Sequence, residues 1–257
     1  MLKIDLVGKT AVVVGGSRGI GAGITAALCK AGAVTVFTHT GNPKYKARIE
    51  ELVADTAKEH CRAEAVVCDA RDASETAALI DRIVSQHKRV DILVCNVGQN
   101  MAQPAENVTD EGWRDFIDIN LTTAFYGVRS VLPHMVREGF GRIILIGSSA
   151  AYDGGGGAID YAAAKAGMDG MVKYLAKNYA RKGVLANVVH PCVIDTDLLR
   201  ERYCDEEKRQ KLVAQIPVGR LGKADDIGGL VAYLASGWGD FICGQSFLVD
   251  GGRTLFR

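Results

Sequence analysis

The 257-residue sequence predicts a single α/β domain, a doubly wound parallel sheet with helices on both faces. Three features predict it. Strand-length apolar runs recur along the chain and are continuous rather than alternating, as in strands covered on both faces. Helical stretches long enough for crossover connections separate them. A glycine-rich turn joins the first run to the first helix, where such sheets bind nucleotides.

The apolar runs are TAVVV (10–14), VTVFT (34–38), AVVC (65–68), DILVC (91–95), RIILI (142–146), LANVV (185–189) and SFLV (246–249). Helices are expected at 20–31, at 44–60 after Asn42-Pro43, and at 73–88, where Asp72 and Glu75 read as a capping box. Longer ones are expected at 109–138 and 160–181. No repeat, low-complexity tract or linker divides the chain, so 1–257 is read as one domain. Residues 197–220 are highly charged, follow a strand end and read as a surface helical excursion.

Composition narrows the function. A 48% hydrophobic, 24% charged chain has a core to bury, which argues against disorder. A net charge of +1 gives no reason to expect nucleic acid or an anionic membrane as partner. No apolar run is long enough to span a bilayer, and the start lacks a secretory signal. The seven cysteines form no C-x-x-C pair and are odd in number. Reduced thiols in a cytoplasmic protein without a metal site are therefore expected.

Gly15, Gly19 and Gly21 stand directly between the first strand and helix. Glycines there let backbone N–H groups approach a pyrophosphate at the helix N-terminus, with Ser17, Arg18 and Ile20 in the same loop. An acid at the end of the second strand would grip the ribose diol of NAD. His39 stands there instead, between Thr38 and Thr40, with Arg18 and Lys44 nearby. A 2′-phosphate is held by cations and donors, so NADP is expected rather than NAD.

The stretch IDYAAAKAG places Tyr161 four residues before Lys165, on one helical face. Tyr161, Ala164, Met168, Met171, Val172, Leu175 and Tyr179 share an apolar arc, and Asp169, Lys173, Lys177 and Arg181 fall opposite. Lys165 sits at the margin of the arc. An ammonium there is expected to lower the pKa of the phenol, making it a usable acid/base.

With these motifs, CNVG (95–98), CDARD, DINL (118–121), GSS (147–149), HPCVIDT (190–196) and VDGG (249–252), the whole chain resembles the short-chain dehydrogenase/reductases. That resemblance implies a Rossmann fold and an NAD(P)-dependent oxidoreductase acting on a ketone or secondary alcohol. It gives Tyr161 the acid/base role, Lys165 that of its partner and ribose donor, and Ser148 that of carbonyl-oxygen donor. Asn120 would hold a water near Lys165. Asp69 and Ala70 would border the adenine, Asn96 and Gly98 would lie along the cofactor, and Pro191, Ile194 and Thr196 would face the nicotinamide and phosphates. It implies a substrate lid at 197–220 and a homotetramer pairing the two long helices. Val14, Cys95, Val97 and Cys192 depart from the usual family pattern.

The substrate is less legible. Gln99 and Asp153 are expected to face it beside Ser148 and Tyr161, and four glycines, 154–157, suggest a small or mobile wall. A carbonyl reductase of a small molecule is favoured. The first alternative is a 3-oxoacyl-[acyl-carrier-protein] reductase, for which Arg137, Arg142, Arg181 and Lys182 would offer a basic face. The second is a non-enzymatic nucleotide sensor, against which the intact Ser148, Tyr161 and Lys165 argue.

Overall fold

The computed structural model describes residues 3–58 and 61–256; positions 59–60 of the helix expected at 44–60 lie outside them. In chain order the larger elements are Thr10–Val14 (β1), Gly19–Lys30 (α1), Val34–His39 (β2), Lys46–Lys58 (α2), Arg62–Val67 (β3), Ala73–His87 (α3), Ile92–Cys95 (β4) and Asp110–Ile117 (α4). Then come Thr123–Glu138 (α5), Gly141–Ile146 (β5), Ala150–Asp153 (α6), Ile159–Tyr179 (α7) and Val184–Pro191 (β6). Asp197–Arg202 (α8), Glu206–Val213 (α9), Ala224–Ala235 (α10) and Ser246–Val249 (β7) follow.

The seven strands form one parallel sheet in the order β3-β2-β1-β4-β5-β6-β7. Successive strand residues point to opposite faces, so each strand feeds two cores. Val12, Val14, Leu93, Cys95, Ile143 and Leu145 meet Ile80 of α3, Val131 of α5 and Met168 of α7. Ala11, Val13, Ile92, Val94, Ile144 and Ile146 meet Ile24 of α1 and Val231 of α10. Chain order reverses beside β1, whose other neighbour is β4, with Val14 level with Cys95. The chain diverges to both sides there, and the strand ends open a crevice.

The structure departs from the sequence reading in three places. β3 begins earlier than AVVC, because Arg62 and Glu64 belong to a sheet-edge strand that solvent reaches. The helix expected at 109–138 is interrupted by a π-helical turn at Asp118–Thr122, which carries Asn120. Asp169, assigned to the solvent face of α7, is partly buried against β6 and β7.

Candidate active site

The crevice between β1 and β4 is floored by the glycine loop. A Cβ on Gly21 would lie 2.1 Å from the Gly15 carbonyl oxygen, and one on Gly15 would lie 2.8 Å from Val97 Cγ2. Asn96 Nδ2 donates to the same Gly15 oxygen at 2.8 Å, tying the end of β4 to the loop. Gly19, at φ +52°, leaves room for Thr196, whose methyl would be 3.2 Å from a Cβ there. The loop, Asn96 and Thr196 thus meet around a backbone cradle that side chains would fill. This suits a pyrophosphate. Ser17 and Pro191 are buried beside it, Ile20 is half-buried, and Ile194 is buried with a bridge to Gly222.

At the outer end of β2, Arg18 is exposed and donates to the Tyr45 hydroxyl at 3.0 Å, with its guanidinium over the Tyr45 ring. Lys44 reaches Glu201, and Arg48 pairs with Asp197 of α8. Sequence reasoning missed Tyr45 and Arg48, since neither belongs to a motif. His39 is half-buried, its Nδ1 accepts from the Gly41 N–H, and burial holds its pKa below the ordinary value. Thr40 is exposed. Thr38 faces inward: it is 1% exposed, and its hydroxyl oxygen accepts the Gly15 N–H at 2.9 Å. It therefore braces the glycine loop instead of offering a donor at the sheet edge. Asp69 is exposed and accepts the Arg71 N–H, and Ala70 beside it is buried.

Ser148, Tyr161 and Lys165 converge where β5 ends. Lys165 is 3% exposed, donates to the Ile146 carbonyl at 3.0 Å and lies 5.9 Å from the Tyr161 ring centroid. Burial pushes its pKa down to about 8. The Tyr161 phenol is pushed up by burial, and a hydrogen bond from Ser148 works against that shift. The expected lowering of the phenol by Lys165 is thus corrected: the ammonium is aimed at a carbonyl, and desolvation dominates. Ser148 Oγ also accepts the Ala150 N–H at 3.2 Å.

Asn120 is fully buried. Its Oδ1 accepts the Gln99 N–H, and its Nδ2 donates to the carbonyls of Gln99 and Phe116. Both amide hydrogens are therefore engaged by backbone, and the side chain braces the loop after β4. The loop is held tight: a Cβ on Gly98 would lie 2.9 Å from Asn120 Oδ1 and 3.0 Å from Lys165 Nζ. Gln99 is exposed beside it.

Asp153 is half-buried and accepts the Gly155 N–H at 2.8 Å, so it shapes the following turn. Gly154, Gly156 and Gly157 all have positive φ, and a Cβ on Gly156 would lie 3.0 Å from the Tyr161 ring. The glycine wall is thus a defined turn against the Tyr161 ring. Among the family departures, Cys95 is buried and its thiol is pushed up to about 12. Cys192 Sγ lies 3.3 Å from Arg253 Nη1, and the next residue, Val193, takes φ +52°, which is strained for a β-branched side chain.

A family model described as enoyl-(acyl carrier protein) reductase matches residues 14–254. The 3-oxoacyl-[acyl-carrier-protein] reductase of Escherichia coli (strain K12) is 36% identical over 248 residues, covering 96% of this chain and 98% of its own. A dehydrogenase/reductase from Sinorhizobium meliloti 1021 has a similar solved structure, with a TM-score of 0.88 at 34% identity over 98% of this chain and 97% of that one. A protein assigned as an NAD(P)-dependent gluconate 5-dehydrogenase from Beutenbergia cavernae, solved with NADP at low occupancy, has a TM-score of 0.90 at 32% identity. That match covers 99% of this chain and 100% of the other.

Proposed function

The chain belongs to the short-chain dehydrogenase/reductase family of NAD(P)-dependent oxidoreductases, and on that premise we propose that it interconverts a ketone and a secondary alcohol with NADP(H) through Ser148, Tyr161 and Lys165. The observation that carries this reading is the convergence at the end of β5 of Ser148, Tyr161 and the buried Lys165, whose Nζ lies 5.9 Å from the Tyr161 ring centroid and bonds to the Ile146 carbonyl.

Gly15, Ser17, Gly19, Ile20, Gly21, Asn96, Gly98, Pro191, Ile194 and Thr196 would hold the cofactor along the crevice, with Asp69 and Ala70 at the adenine. The nicotinamide, when bound, supplies or accepts the hydride. Ser148 donates to the oxygen on which negative charge develops. Tyr161 holds the proton for that oxygen; burial keeps the phenol neutral, the form that reduction needs. Lys165 adds positive charge beside the reacting oxygen. His39 in place of an acid, with the exposed Arg18 in the glycine loop, supports NADP over NAD. The NADP-bound neighbour agrees with that choice.

The 36% identical relative favours a second reading, reduction of a 3-oxoacyl group on an acidic carrier. Arg137 and Arg181 are exposed and suit such a carrier. Arg142 does not: it is 5% exposed, stacked on Phe140 and paired with Asp240. The small-molecule ketone remains the first reading.

Residues 197–220 form the lid, carried by α8 and α9 and tied to the β2 side by Arg48–Asp197 and Lys44–Glu201. The assembly is a homotetramer. An apolar groove of about 680 Å³ between α5 and α7, lined by Phe125, Leu132, Met171 and Tyr174 among others, supports helix pairing across a two-fold axis. No helix among the described residues is long and apolar enough to cross a membrane. A panel of ketones and 3-oxoacyl thioesters with NADPH or NADH, followed by nicotinamide absorbance, tests the reading. NADPH-dependent turnover of a ketone supports it; turnover restricted to carrier-bound thioesters moves the function to the second reading.

A further inference from the structure

His190 stands one residue from the end of β6, in a core strand, and is fully buried. A buried imidazole has to satisfy two ring nitrogens. Nε2 lies 3.0 Å from Asp169 Oδ1. Nδ1 lies 3.1 Å from the Ser148 backbone nitrogen and 2.9 Å from the Ser148 carbonyl oxygen. With Asp169 taking the Nε2 proton, Nδ1 accepts the Ser148 N–H; if the ring is doubly protonated, Nδ1 donates to the Ser148 carbonyl instead. Either state keeps the ring bonded to the Ser148 backbone.

The surroundings are shaped for this ring. A Cβ on Gly147 would lie 2.3 Å from His190 Nδ1, so the approach requires glycine. Tyr152 meets the imidazole edge-on, with centroids 5.2 Å apart. Asp169 Oδ1 also accepts the Ser246 hydroxyl from β7. The neighbouring Gly147 and Ser149 N–H groups bond to Val189 and Pro191 of β6, and the Ser148 N–H goes to the His190 side chain. Asp169 lies one helical turn beyond Lys165 on α7. A single polar path therefore runs from the helix of Tyr161 and Lys165, through His190, to the backbone of Ser148.

We infer that His190, oriented by Asp169, is a positioning residue that fixes the Ser148 backbone and hence where the Ser148 hydroxyl meets the Tyr161 phenol. The inference rests on the Ser148–Tyr161–Lys165 reading of the reaction. It requires a hydroxyl held in one place, because small misplacements of a catalytic group carry large rate penalties.

The test is a double-mutant cycle of His190→Ala with Ser148→Ala, using NADPH and the most active ketone of the panel. His190→Ala is expected to lower kcat about 10- to 100-fold with little change in NADPH affinity. In the Ser148→Ala background the same change is expected to lower kcat by no more than about threefold, since no hydroxyl remains to be positioned. Asp169→Val is expected to behave like His190→Ala, and Asp169→Asn, which keeps an acceptor oxygen, to restore most of kcat. Equal losses in the two backgrounds would overturn the inference and leave the reaction intact. Full activity in Ser148→Ala alone would instead sink the reaction reading. Hydrogen exchange of the Ser148 amide gives a readout independent of turnover. Protection in wild type and Asp169→Asn with loss in Asp169→Val supports the inference; equal protection in all three overturns it.

Discussion

Replacing Lys165 with methionine should change how stability depends on pH, in a direction fixed by the burial of the ammonium. The unfolded chain keeps this proton up to about pH 10.4. The folded protein releases it near 8, because the amine is desolvated. Between those values the unfolded state binds more protons, so the stability of wild type rises with pH. Below about 8 the buried charge opposes folding by roughly 3 kcal/mol, the free-energy equivalent of moving the pKa from 10.5 to about 8. Lys165→Met removes that dependence while keeping most of the side-chain volume. Relative to the variant, wild type should gain about 1 kcal/mol between pH 7 and 9, and about 2.5 kcal/mol by pH 10. Urea unfolding of the cofactor-free proteins at several pH values measures the difference curve. A flat curve, or one falling with pH, would refute the argument.

Three further outcomes follow from other parts of the site. Gly21→Ala places a Cβ against the Gly15 carbonyl and Asn96; NADPH affinity should fall at least about tenfold, with a loss of about 1–3 kcal/mol of stability, read by fluorescence titration and melting. His39→Asp should move preference from NADPH towards NADH, by adding a diol acceptor and repelling the 2′-phosphate; titration of both cofactors measures the ratio. Tyr174, 62% exposed at the α5–α7 groove, should be intolerant of charge in the proposed tetramer. Tyr174→Glu should shift light scattering from tetramer to a smaller species, and a wild-type monomer would reject the assembly itself.

The sheet was legible because its central strands are covered on both faces and read as uninterrupted apolar runs. β3 was the exception: one of the two edge strands, it carries Arg62 and Glu64, which look like loop residues. The glycine loop could be read because its function depends on missing side chains, and the sequence records those directly. The spacing of Tyr161 and Lys165 was equally plain, but the electrostatics between them was not. Proximity on a helical face suggested a depressed phenol. Whether a neighbouring charge or desolvation prevails depends on burial by the rest of the fold, and here desolvation does. The π turn around Asn120 left no sequence mark, since it arises from one extra residue per turn in otherwise ordinary helical sequence. His190 and Asp169 were missed because they belong to separate elements. Only the fold brings a lone strand histidine to a carboxylate that the helical wheel had turned to solvent.

In the proposed reaction the Tyr161 hydroxyl carries the reacting proton. Single-turnover reduction of the preferred ketone by enzyme-bound NADPH, comparing wild type with Tyr161→Phe, tests it most directly. The substitution keeps the ring against Gly156 and removes one oxygen. The rate should fall about 10²- to 10⁴-fold, with NADPH affinity and melting temperature little changed. A variant that reduces the ketone at nearly the wild-type rate would contradict it.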